Sequence, residues 1–288
     1  MGIETDIEWC DSTVNGQMGC DGCELWNAQR EDCYAGQLTR RYAGLKGWPE
    51  SFEAPTLFPD RIPKACKWPD LTGTKRPIKR WLDGYPRLIF LDDMGDTFTE
   101  SLPRDWLLPY IPAMESSPHT WQFLTKRPER MRRFFVDDLG YVPRNFWLGT
   151  SVTGPATRKR IWDLLKIPGA PVYFVSYEPA WKGLDIADYI VGQRRLSWVI
   201  VGGQSGPGAE PMHPDWARSV RNQCSVAGTS FFFKQWGAWQ PVAFEEGHWP
   251  ESSSRYTFED RQQMLLAGKK ASGRLLDGRE WNEMPTQT

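Results

Sequence analysis

The chain has 288 residues, 25% of them charged, and a formal net charge of −1. This length is enough for one large domain or two small ones with a substantial core. No apolar run is long enough to cross a bilayer, and the acidic start MGIETDIEWCD lacks the pattern of a secretory signal, so we expect a cytoplasmic protein without a membrane partner. The charge gives no overall attraction to nucleic acid, although basic residues cluster locally at 74–81, 125–133 and 157–160.

Eight short apolar runs in the sequence predict a parallel sheet. Most of them are rich in Val, Ile, Phe, Leu and Trp without alternation, which is typical of strands buried on both faces. The runs lie at 7–10, 54–58, 87–92, 121–125, 146–151, 172–178, 198–203 and 230–236. Helices are predicted between them at 105–115, 128–139, 156–166 and 213–228. This α/β pattern over residues 1–236 predicts a (β/α) barrel of the TIM type with eight strands, and an open six-stranded barrel is the alternative.

Three cysteines, Cys20, Cys23 and Cys33, follow the first predicted strand. Thiolates are soft ligands that select zinc, copper(I) or iron–sulfur iron, and two cysteines separated by two residues can bind one metal centre or one cluster. No histidine lies near them in the sequence, so a mixed cysteine–histidine zinc finger has no local support. Two interpretations remain: a three-thiolate site with one coordination position open, or a closed zinc site with Cys10 as the fourth ligand.

Polar residues follow most of the predicted strands. In a barrel of this type the carboxyl ends of the strands form the active face, so these residues would gather at one edge. Each of them singly is also compatible with a turn or a helix cap, but their concentration at one edge favours a functional site. They are Asp92, Asp93 and Asp96; Thr125, Lys126 and Arg127; Ser151; Ser176 and Glu178; Gly202, Gly203, Gln204 and Ser205; and Lys234, Gln235 and Trp236.

The last part of the chain, 237–288, is a polar extension that we expect to pack on or over the barrel mouth. Within it, 251–256 (ESSSRY) predicts a mobile loop, and 268–281 (GKKASGRLLDGREW) predicts a basic hairpin with a turn at LDG. Lys269, Lys270, Arg274 and Arg279 make this segment basic. It could hold a polynucleotide backbone or simply cap the barrel.

The cysteine loop leads from the first strand into a helix predicted to start near CYAGQLTRRYAG. This arrangement resembles the radical S-adenosylmethionine enzymes. The resemblance implies that three thiolates hold a 4Fe-4S cluster whose fourth iron binds S-adenosylmethionine. In such enzymes the reduced cluster cleaves the sulfonium, and the resulting 5′-deoxyadenosyl radical abstracts hydrogen from the substrate. A low-potential electron donor such as flavodoxin or ferredoxin is the implied partner.

Further blocks narrow the resemblance to a phage-type, radical-SAM-like, three-cysteine family that occurs in phages and bacterial mobile elements and was long labelled as of unknown function. They include IEWCDSTVNGQMGC, Tyr34 after Cys33, WQFLTKRPERM, WLGTSV, SYEP, WVIVGGQSGPGAEPMHPDWARSVRNQC, FFFKQWGAW and GKKASGRLLDGREW. The match covers about residues 5–285, and a phage-encoded protein would lie in the host cytoplasm.

The cysteine spacing differs from that of most radical-SAM enzymes, which have C-x3-C-x2-C. Here the close pair is Cys20 and Cys23, and nine residues separate Cys23 from Cys33. Loop closure costs little more for a longer loop, so all three can reach one cluster. Many relatives have threonine at Cys10, which favours the other three as metal ligands.

Residue roles follow from the chemistry of the implied ligands. Cofactor-binding residues would be Tyr34, Thr125, Ser151, Ser176, Glu178, Gly202, Gly203 and Gln204. Catalytic residues would be Asp93, Asp96, Lys126, Glu178 and Lys234. Substrate-binding residues would be Arg127, Lys234, Gln235, Trp236, Lys269 and Lys270, of which Arg127 and Lys234 suit a phosphate or carboxylate.

Three functions are compatible with these features. The leading hypothesis is a radical-SAM isomerase, mutase or lyase acting on a modified nucleobase in phage DNA, in a rearrangement of the thymidine-hypermodification type. A base inside a duplex would have to be flipped out to reach such a site. The first alternative is radical-SAM chemistry on a small molecule or peptide. The second is a non-catalytic DNA-binding module stabilised by zinc or by a cluster.

Overall fold

The computed structural model describes residues 2–242 and 254–286, which form a mixed α/β fold. Its strands are β1 Ser12–Val14, β2 Gln17–Met18, β3 Trp26–Asn27, β4 Arg30–Glu31, β5 Thr56–Leu57, β6 Leu88–Leu91, β7 Thr120–Thr125, β8 Phe146–Val152, β9 Val172–Tyr177, β10 Trp198–Gly202, β11 Ser230–Gln235, β12 Trp239–Pro241, β13 Arg255–Thr257 and β14 Gln263–Leu266. Its α-helices are α1 Tyr34–Tyr42, α2 Arg61–Ala65, α3 Ile111–Ser116, α4 Pro128–Arg133, α5 Lys159–Leu165, α6 Pro214–Ala227 and α7 Lys269–Ser272. No helix of the described ranges is both long and apolar enough to span a membrane.

Seven strands form the large sheet, in the order β1-β6-β7-β8-β9-β10-β11. The pairs β1–β6, β6–β7, β7–β8 and β10–β11 are parallel. The predicted α/β class is therefore confirmed. The prediction of an eight-stranded closed barrel is wrong, because this sheet has seven strands and its two end strands, β1 and β11, are not paired with each other in the described ranges. The alternative prediction of an open six-stranded barrel has one strand fewer than this sheet.

Two of the predicted barrel strands are corrected. Residues 7–10 form a turn rather than a strand, because the Lys79 ammonium occupies the carbonyl oxygens of Thr5, Ile7 and Cys10, at 2.6–2.7 Å, that a strand would need for its ladder. The apolar character of this run reflects Trp9, whose ring packs 4.8 Å from that of Phe90. The first strand of the sheet is β1 instead. Residues 54–58 contribute only β5, which pairs antiparallel with β2 outside the large sheet.

The predicted helices exist, but several are shorter than expected. Helix α6 matches its prediction best: it runs from Pro214 to Ala227 and is capped by Gly228. Gly228 takes the left-handed conformation at φ 66° and donates its amide to the Cys224 and Ser225 carbonyls. Within 128–139, α4 continues into a single π-helical turn, Phe134–Asp138. The predicted helix at 105–115 becomes a 3₁₀ turn, Leu108–Tyr110, followed by α3.

The chain divides into two compact units. The first comprises Met1–Ser151, Arg160–Phe174 and Thr286–Thr288, and the second comprises Val152–Lys159 and Val175–Pro285. In the first unit, Phe123, Phe135 and Phe146 form a buried aromatic cluster with ring centroids 5.0–6.3 Å apart. The predicted boundary between 1–236 and 237–288, with the extension on or over a barrel mouth, stays a prediction.

In the second unit the end of the chain runs beside β11. The Phe233 amide donates to the Trp281 carbonyl at 2.9 Å, and the Trp236 indole donates to the Leu275 carbonyl at 2.9 Å. The predicted tight turn at LDG is present, since Asp277 and Gly278 both have positive φ between the bridged residues Leu276 and Arg279. The rest of the predicted hairpin is wrong, because Lys269 and Lys270 begin the short helix α7. Of the loop predicted at 251–256, 251–253 lie outside the described residues, and Arg255–Thr257 forms β13.

Candidate functional site

The three cysteines of the first unit lie on a loop that is fixed by backbone hydrogen bonds. The Cys20 amide donates to the Phe52 carbonyl at 2.7 Å. Cys23 and Trp26 exchange backbone hydrogen bonds at 2.9 and 3.0 Å, which closes a tight turn before β3. Cys33 stands directly before α1 and accepts the Gln37 amide at 2.9 Å. The loop therefore has a defined path, and it starts beyond the carboxyl end of β1.

The cysteine side chains are shielded from solvent and influence one another. Cys20 is 7% exposed and belongs to an apolar cluster with Trp26 and Phe52. Cys33 is half-buried against this cluster, and Cys23 is half-buried. Burial raises the pKa of all three thiols. Charge on Cys33 also raises the pKa of Cys23, and charge on Cys20 raises that of Cys33. These electrostatic influences are small beside that of burial, which is the largest cause of each shift.

The sulfur spacing differs from that of a mononuclear zinc site. A tetrahedral centre with Zn–S bonds of about 2.3 Å places its sulfurs roughly 3.8 Å apart. Across 2–242 and 254–286, the trio of ligand atoms found within 4.8 Å of one another belongs to His213, Asp215 and Asp260, not to the cysteines. That trio is an unsuitable metal site, because His213 Nδ1 accepts the Asp215 amide at 3.1 Å, which leaves the proton of the neutral ring on Nε2, facing Asp260.

Cys10 does not compete with the other three cysteines as a metal ligand. The sequence places it at the end of the first strand, but it precedes β1, and the amide of its neighbour Asp11 donates to the Leu88 carbonyl at the amino end of β6. The cysteine loop leaves the opposite end, where Gly19 bridges to Gly95. Cys10 is therefore separated from the loop by the length of the strand, and the closed zinc site that needs it as a fourth ligand has no support.

Two cations from the end of β7 face the cysteine loop. The Arg127 guanidinium donates to Cys20 Sγ at 3.3 Å, to Asp96 Oδ2 at 3.1 Å and to the Gly22 carbonyl at 2.8 Å. Burial lowers the pKa of Lys126, but the negative groups around it, first Cys23 and Cys33, raise it above its usual value. These positive charges lower the pKa of the neighbouring thiols, but burial has the larger effect and the pKa values stay raised.

A third cation fixes the loop from a different element. Arg160 of α5 forms a two-pronged salt bridge with Glu24 at 2.8 and 2.7 Å, and it also donates to the Ser151 carbonyl at 3.1 Å. Burial alone would raise the pKa of Glu24, but Arg160 holds it below the ordinary value. Sequence analysis missed this pair. Its signal was available in the basic run 157–160 and in the acid between the second and third cysteines.

Asp93, Tyr34 and Asn15 meet beside the loop. The Tyr34 hydroxyl donates to the Asp93 carbonyl, and Asn15 Nδ2 donates to Asp93 Oδ1 at 2.8 Å. Burial raises the pKa of Asp93, and the Asn15 amide opposes that shift. The structure therefore brings the predicted residue Tyr34, one residue beyond Cys33 in the sequence, into contact with the predicted residue Asp93, and it adds Asn15, which the sequence analysis did not select.

The second unit holds a separate polar cluster at the carboxyl ends of its strands. The Lys234 ammonium lies 3.1 Å from Glu178 Oε1, and the Ser176 hydroxyl donates to Glu178 Oε2 at 2.8 Å. A Cβ added at Gly202 would lie 2.3 Å from Glu178 Oε1, so the carboxylate can rest there only because residue 202 is glycine. The Glu178 and Lys234 side chains remain 15% and 20% exposed. A ligand could therefore still reach them.

The remaining predicted residues of this unit are structural or exposed. Gln204 Oε1 accepts the Trp181 indole at 2.8 Å and the Glu210 amide at 3.1 Å, so its acceptor is occupied by the chain itself. Gln235 Nε2 donates to the Gly203 carbonyl at 3.0 Å, and its Oε1 is buried without a partner. Two further predicted residues, Lys269 and Lys270, are exposed on α7.

The chain is thus an α/β protein built on a large sheet with parallel strand pairs, and three cysteines lie on a loop beyond its first strand, β1. The chain belongs to the family described as "Protein of unknown function (DUF5131)", which it matches over residues 4–285. No curated protein and no solved structure matches it.

Proposed function

We propose that this protein is a radical S-adenosylmethionine enzyme whose 4Fe-4S cluster is held by Cys20, Cys23 and Cys33. The observation that carries the proposal is the set of three buried or half-buried cysteines on one loop fixed by backbone hydrogen bonds, with Cys10 at the other end of β1. Three thiolate ligands leave one iron of such a cluster without a protein ligand, and that iron is the one at which S-adenosylmethionine binds in this class of enzyme. When bound, the cluster would supply the electron that cleaves the sulfonium.

The residues of the first unit are suited to hold a cluster. Cluster sulfurs are tuned by hydrogen bonds and by solvent exclusion. Here the Leu25 amide lies 3.4 Å from Cys23 Sγ, Arg127 donates to Cys20 Sγ, and the apolar cluster around Trp26 shields the loop. Lys126 offers a compensating positive charge to the thiolates and the cluster.

For the second unit, we assign Glu178 to an ammonium or hydroxyl group of a bound ligand. Lys234 and Ser176 hold its carboxylate in place, so Lys234 acts on the ligand through Glu178 rather than as a free phosphate anchor. Because the acceptor atom of Gln204 is occupied by Trp181 and Glu210, we assign Gln204 to shaping the loop at 204–210.

The substrate class in this proposal is a nucleobase carried by nucleic acid, which undergoes a rearrangement or a lyase reaction. The support is the exposed pair Lys269 and Lys270, together with the basic segment around them. A small molecule or a peptide is the competing substrate class. A steep loss of nucleic-acid binding with added salt supports the first, and binding that is insensitive to salt supports the second.

The test is anaerobic reconstitution with iron and sulfide, followed by reduction in the presence of S-adenosylmethionine and chromatography for 5′-deoxyadenosine. We expect wild type to bind iron and sulfide and to release 5′-deoxyadenosine, and the triple variant Cys20→Ala/Cys23→Ala/Cys33→Ala to do neither. Cys66→Ala is the matched control, because Cys66 is a partly buried cysteine at the end of α2 and should behave as wild type. Zinc retention without cleavage would replace the proposal by the metal-stabilised binding module.

A further inference from the structure

We propose that Arg127 is a positioning residue that fixes the Cys20 sulfur and raises the reduction potential of the cluster through an N–H···S hydrogen bond. This inference rests on the proposed function. It replaces the sequence-based role of Arg127 in substrate binding. The reason is that its guanidinium is already engaged by the protein itself.

The contacts of Arg127 reach both the cysteine loop and Asp96 in the loop after β6. Nη1 donates to Cys20 Sγ at 3.3 Å and to Asp96 Oδ2 at 3.1 Å, while Nη2 donates to the Gly22 carbonyl at 2.8 Å. Gly22 lies between Cys20 and Cys23 in the sequence, so one planar group fixes both a ligand sulfur and the turn that separates the close pair. The Arg127 side chain is only 15% exposed. A lysine, with a single nitrogen, could not span these partners.

Asp96 is the anchor that holds Arg127 in this position. Its Oδ1 accepts the Thr125 hydroxyl at 2.6 Å and the Phe98 amide at 3.0 Å. Its Oδ2 accepts the Lys126 amide at 3.0 Å as well as Arg127. With four donors the carboxylate is saturated. We therefore assign Asp96 to supporting Arg127, in place of the catalytic role that the sequence predicted.

The electronic consequence follows from charge. Reduction adds one electron to the cluster, and its sulfurs become better hydrogen-bond acceptors. A charged donor therefore stabilises the reduced state more than the oxidised state, which raises the potential. Because Arg127 contacts Cys20 directly, its loss should lower the potential even if the cluster stays bound.

Arg160 provides the matched control. It fixes the same loop through Glu24, and its guanidinium donates to the Glu24 carboxylate and the Ser151 carbonyl. Arg160→Gln therefore loosens the loop and removes a positive charge, but it leaves the hydrogen bond to Cys20 in place. A purely structural role for Arg127 would make the two variants alike.

The experiment reconstitutes the cluster in the full chain and follows its reduction by electron paramagnetic resonance in a mediated redox titration, with iron and sulfide counted in every sample. The variants are Arg127→Gln, Arg127→Lys and Arg160→Gln. For Arg127→Gln we expect the reduction equilibrium to shift about tenfold toward the oxidised cluster, a fall of about 59 mV for a one-electron couple. Arg127→Lys should lie between this variant and wild type, and Arg160→Gln should remain near wild type.

Each outcome supports or overturns a distinct statement. If wild type binds iron and sulfide but Arg127→Gln keeps its potential, or if Arg160→Gln shifts it equally, the inference is wrong and the proposed function stands. If Arg127→Gln cannot hold a cluster, Arg127→Lys decides: a potential equal to that of wild type overturns the inference, and a lower one supports it. If wild type itself takes up no iron and sulfide, the proposed function fails and the inference fails with it.

Discussion

At the scale of single residues, the ionisation of Asp92 makes the stability of the fold depend on pH. Its carboxyl is 1% exposed and accepts the Gln17 amide and the Thr97 hydroxyl. Burial raises the pKa of Asp92 to about 8, whereas the unfolded chain ionises it near 3.8. Between these values the folded state binds more protons than the unfolded state, so the contribution of Asp92 to stability falls as the pH rises.

We predict that Asp92→Asn removes this dependence, because an amide keeps the shape of the carboxyl group and cannot ionise. Relative to the variant, wild type should lose up to about 4 kcal/mol of unfolding free energy between pH 5 and pH 8. Urea unfolding of both proteins at pH 5, 6.5 and 8 measures the difference. Parallel stability curves for the two proteins would contradict the assignment.

Gly202 is a second residue whose role can be tested. Gly202→Ala should displace Glu178 from Lys234, because the new Cβ would lie 2.3 Å from Glu178 Oε1. Because the atoms that must move belong to a flexible and partly exposed side chain, we expect a loss of no more than about 1 kcal/mol in urea unfolding. Gly183→Ala is the comparison in the same unit, since it adds the same methyl group but meets the Trp216 side chain at 3.3 Å instead of a carboxylate at 2.3 Å. Equal losses in both variants would mean that the Glu178 contact is not the cause.

The cysteine thiols predict proton release on metal binding. Because burial raises the pKa of Cys20, Cys23 and Cys33 above 9.0, they are protonated near neutral pH in the metal-free protein. Metal ligation removes those protons, so Fe²⁺ or Co²⁺ should bind more tightly at pH 9 than at pH 7. Calorimetry at one pH in two buffers with different ionisation enthalpies counts the protons. Binding that is independent of pH would contradict the three-thiolate assignment.

At the scale of elements, helix α6 shows how local chemistry sets a boundary. His213 caps its first turn by accepting the Asp215 amide through Nδ1, and its Nε2 faces Asp260 at 2.8 Å. The sequence predicted the end of this helix from Gly228 and its start from Pro214 and Asp215. The capping role of the histidine depends on the orientation of its ring, which the sequence does not give.

We predict that His213→Ala costs about 1–2 kcal/mol of unfolding free energy, most of it from the lost cap. His213→Asn restores an acceptor for the Asp215 amide and should recover most of that loss. Asp260→Ala should change stability by less than about 1 kcal/mol, since Asp260 is more than half exposed. Urea titrations of the three variants measure these differences. If asparagine is no better than alanine, the cap is not the source of the loss.

The first two predicted strands failed for reasons that sequence periodicity cannot detect. An apolar run reports burial, and residues 7–10 are buried in part, but the Lys79 ammonium from a distant segment takes their carbonyl oxygens. The two-residue strand β5 pairs outside the large sheet. The six later strands agree with prediction to within a few residues, because they are dense in large apolar side chains.

At the scale of the whole molecule, the formal net charge of −1 limits how nucleic acid can bind. Attraction must come from local basic groups, so the loss of affinity with added salt should correspond to about two to four phosphate contacts, a slope of roughly −2 to −4 in log affinity against log salt. Lys269→Ala/Lys270→Ala should reduce the slope of log affinity against log salt by about 2. Lys46→Ala, at an exposed lysine of the first unit, is the control. An unchanged slope in the double variant would remove α7 from the binding surface.

The sequence by itself determined the α/β class, most strands of the large sheet, helix α6 and the three cysteines on one loop. It could do so because strand burial, helix capping and ligand type are local properties of residue identity and spacing. The turn at Asp277 and Gly278 belongs to the same group, since both residues tolerate the positive φ that it needs.

Only the tertiary structure decided which polar residues act together. Arg127 reaches Cys20 across 107 positions of the chain, and Arg160 reaches Glu24 across 136. These contacts exist because parallel strands bring distant segments to one edge, and their partners depend on side-chain directions that no local pattern encodes. The same geometry places Cys10 at the opposite end of β1 from the other three thiols, because residues on either side of a strand in sequence lie at opposite ends of it in space.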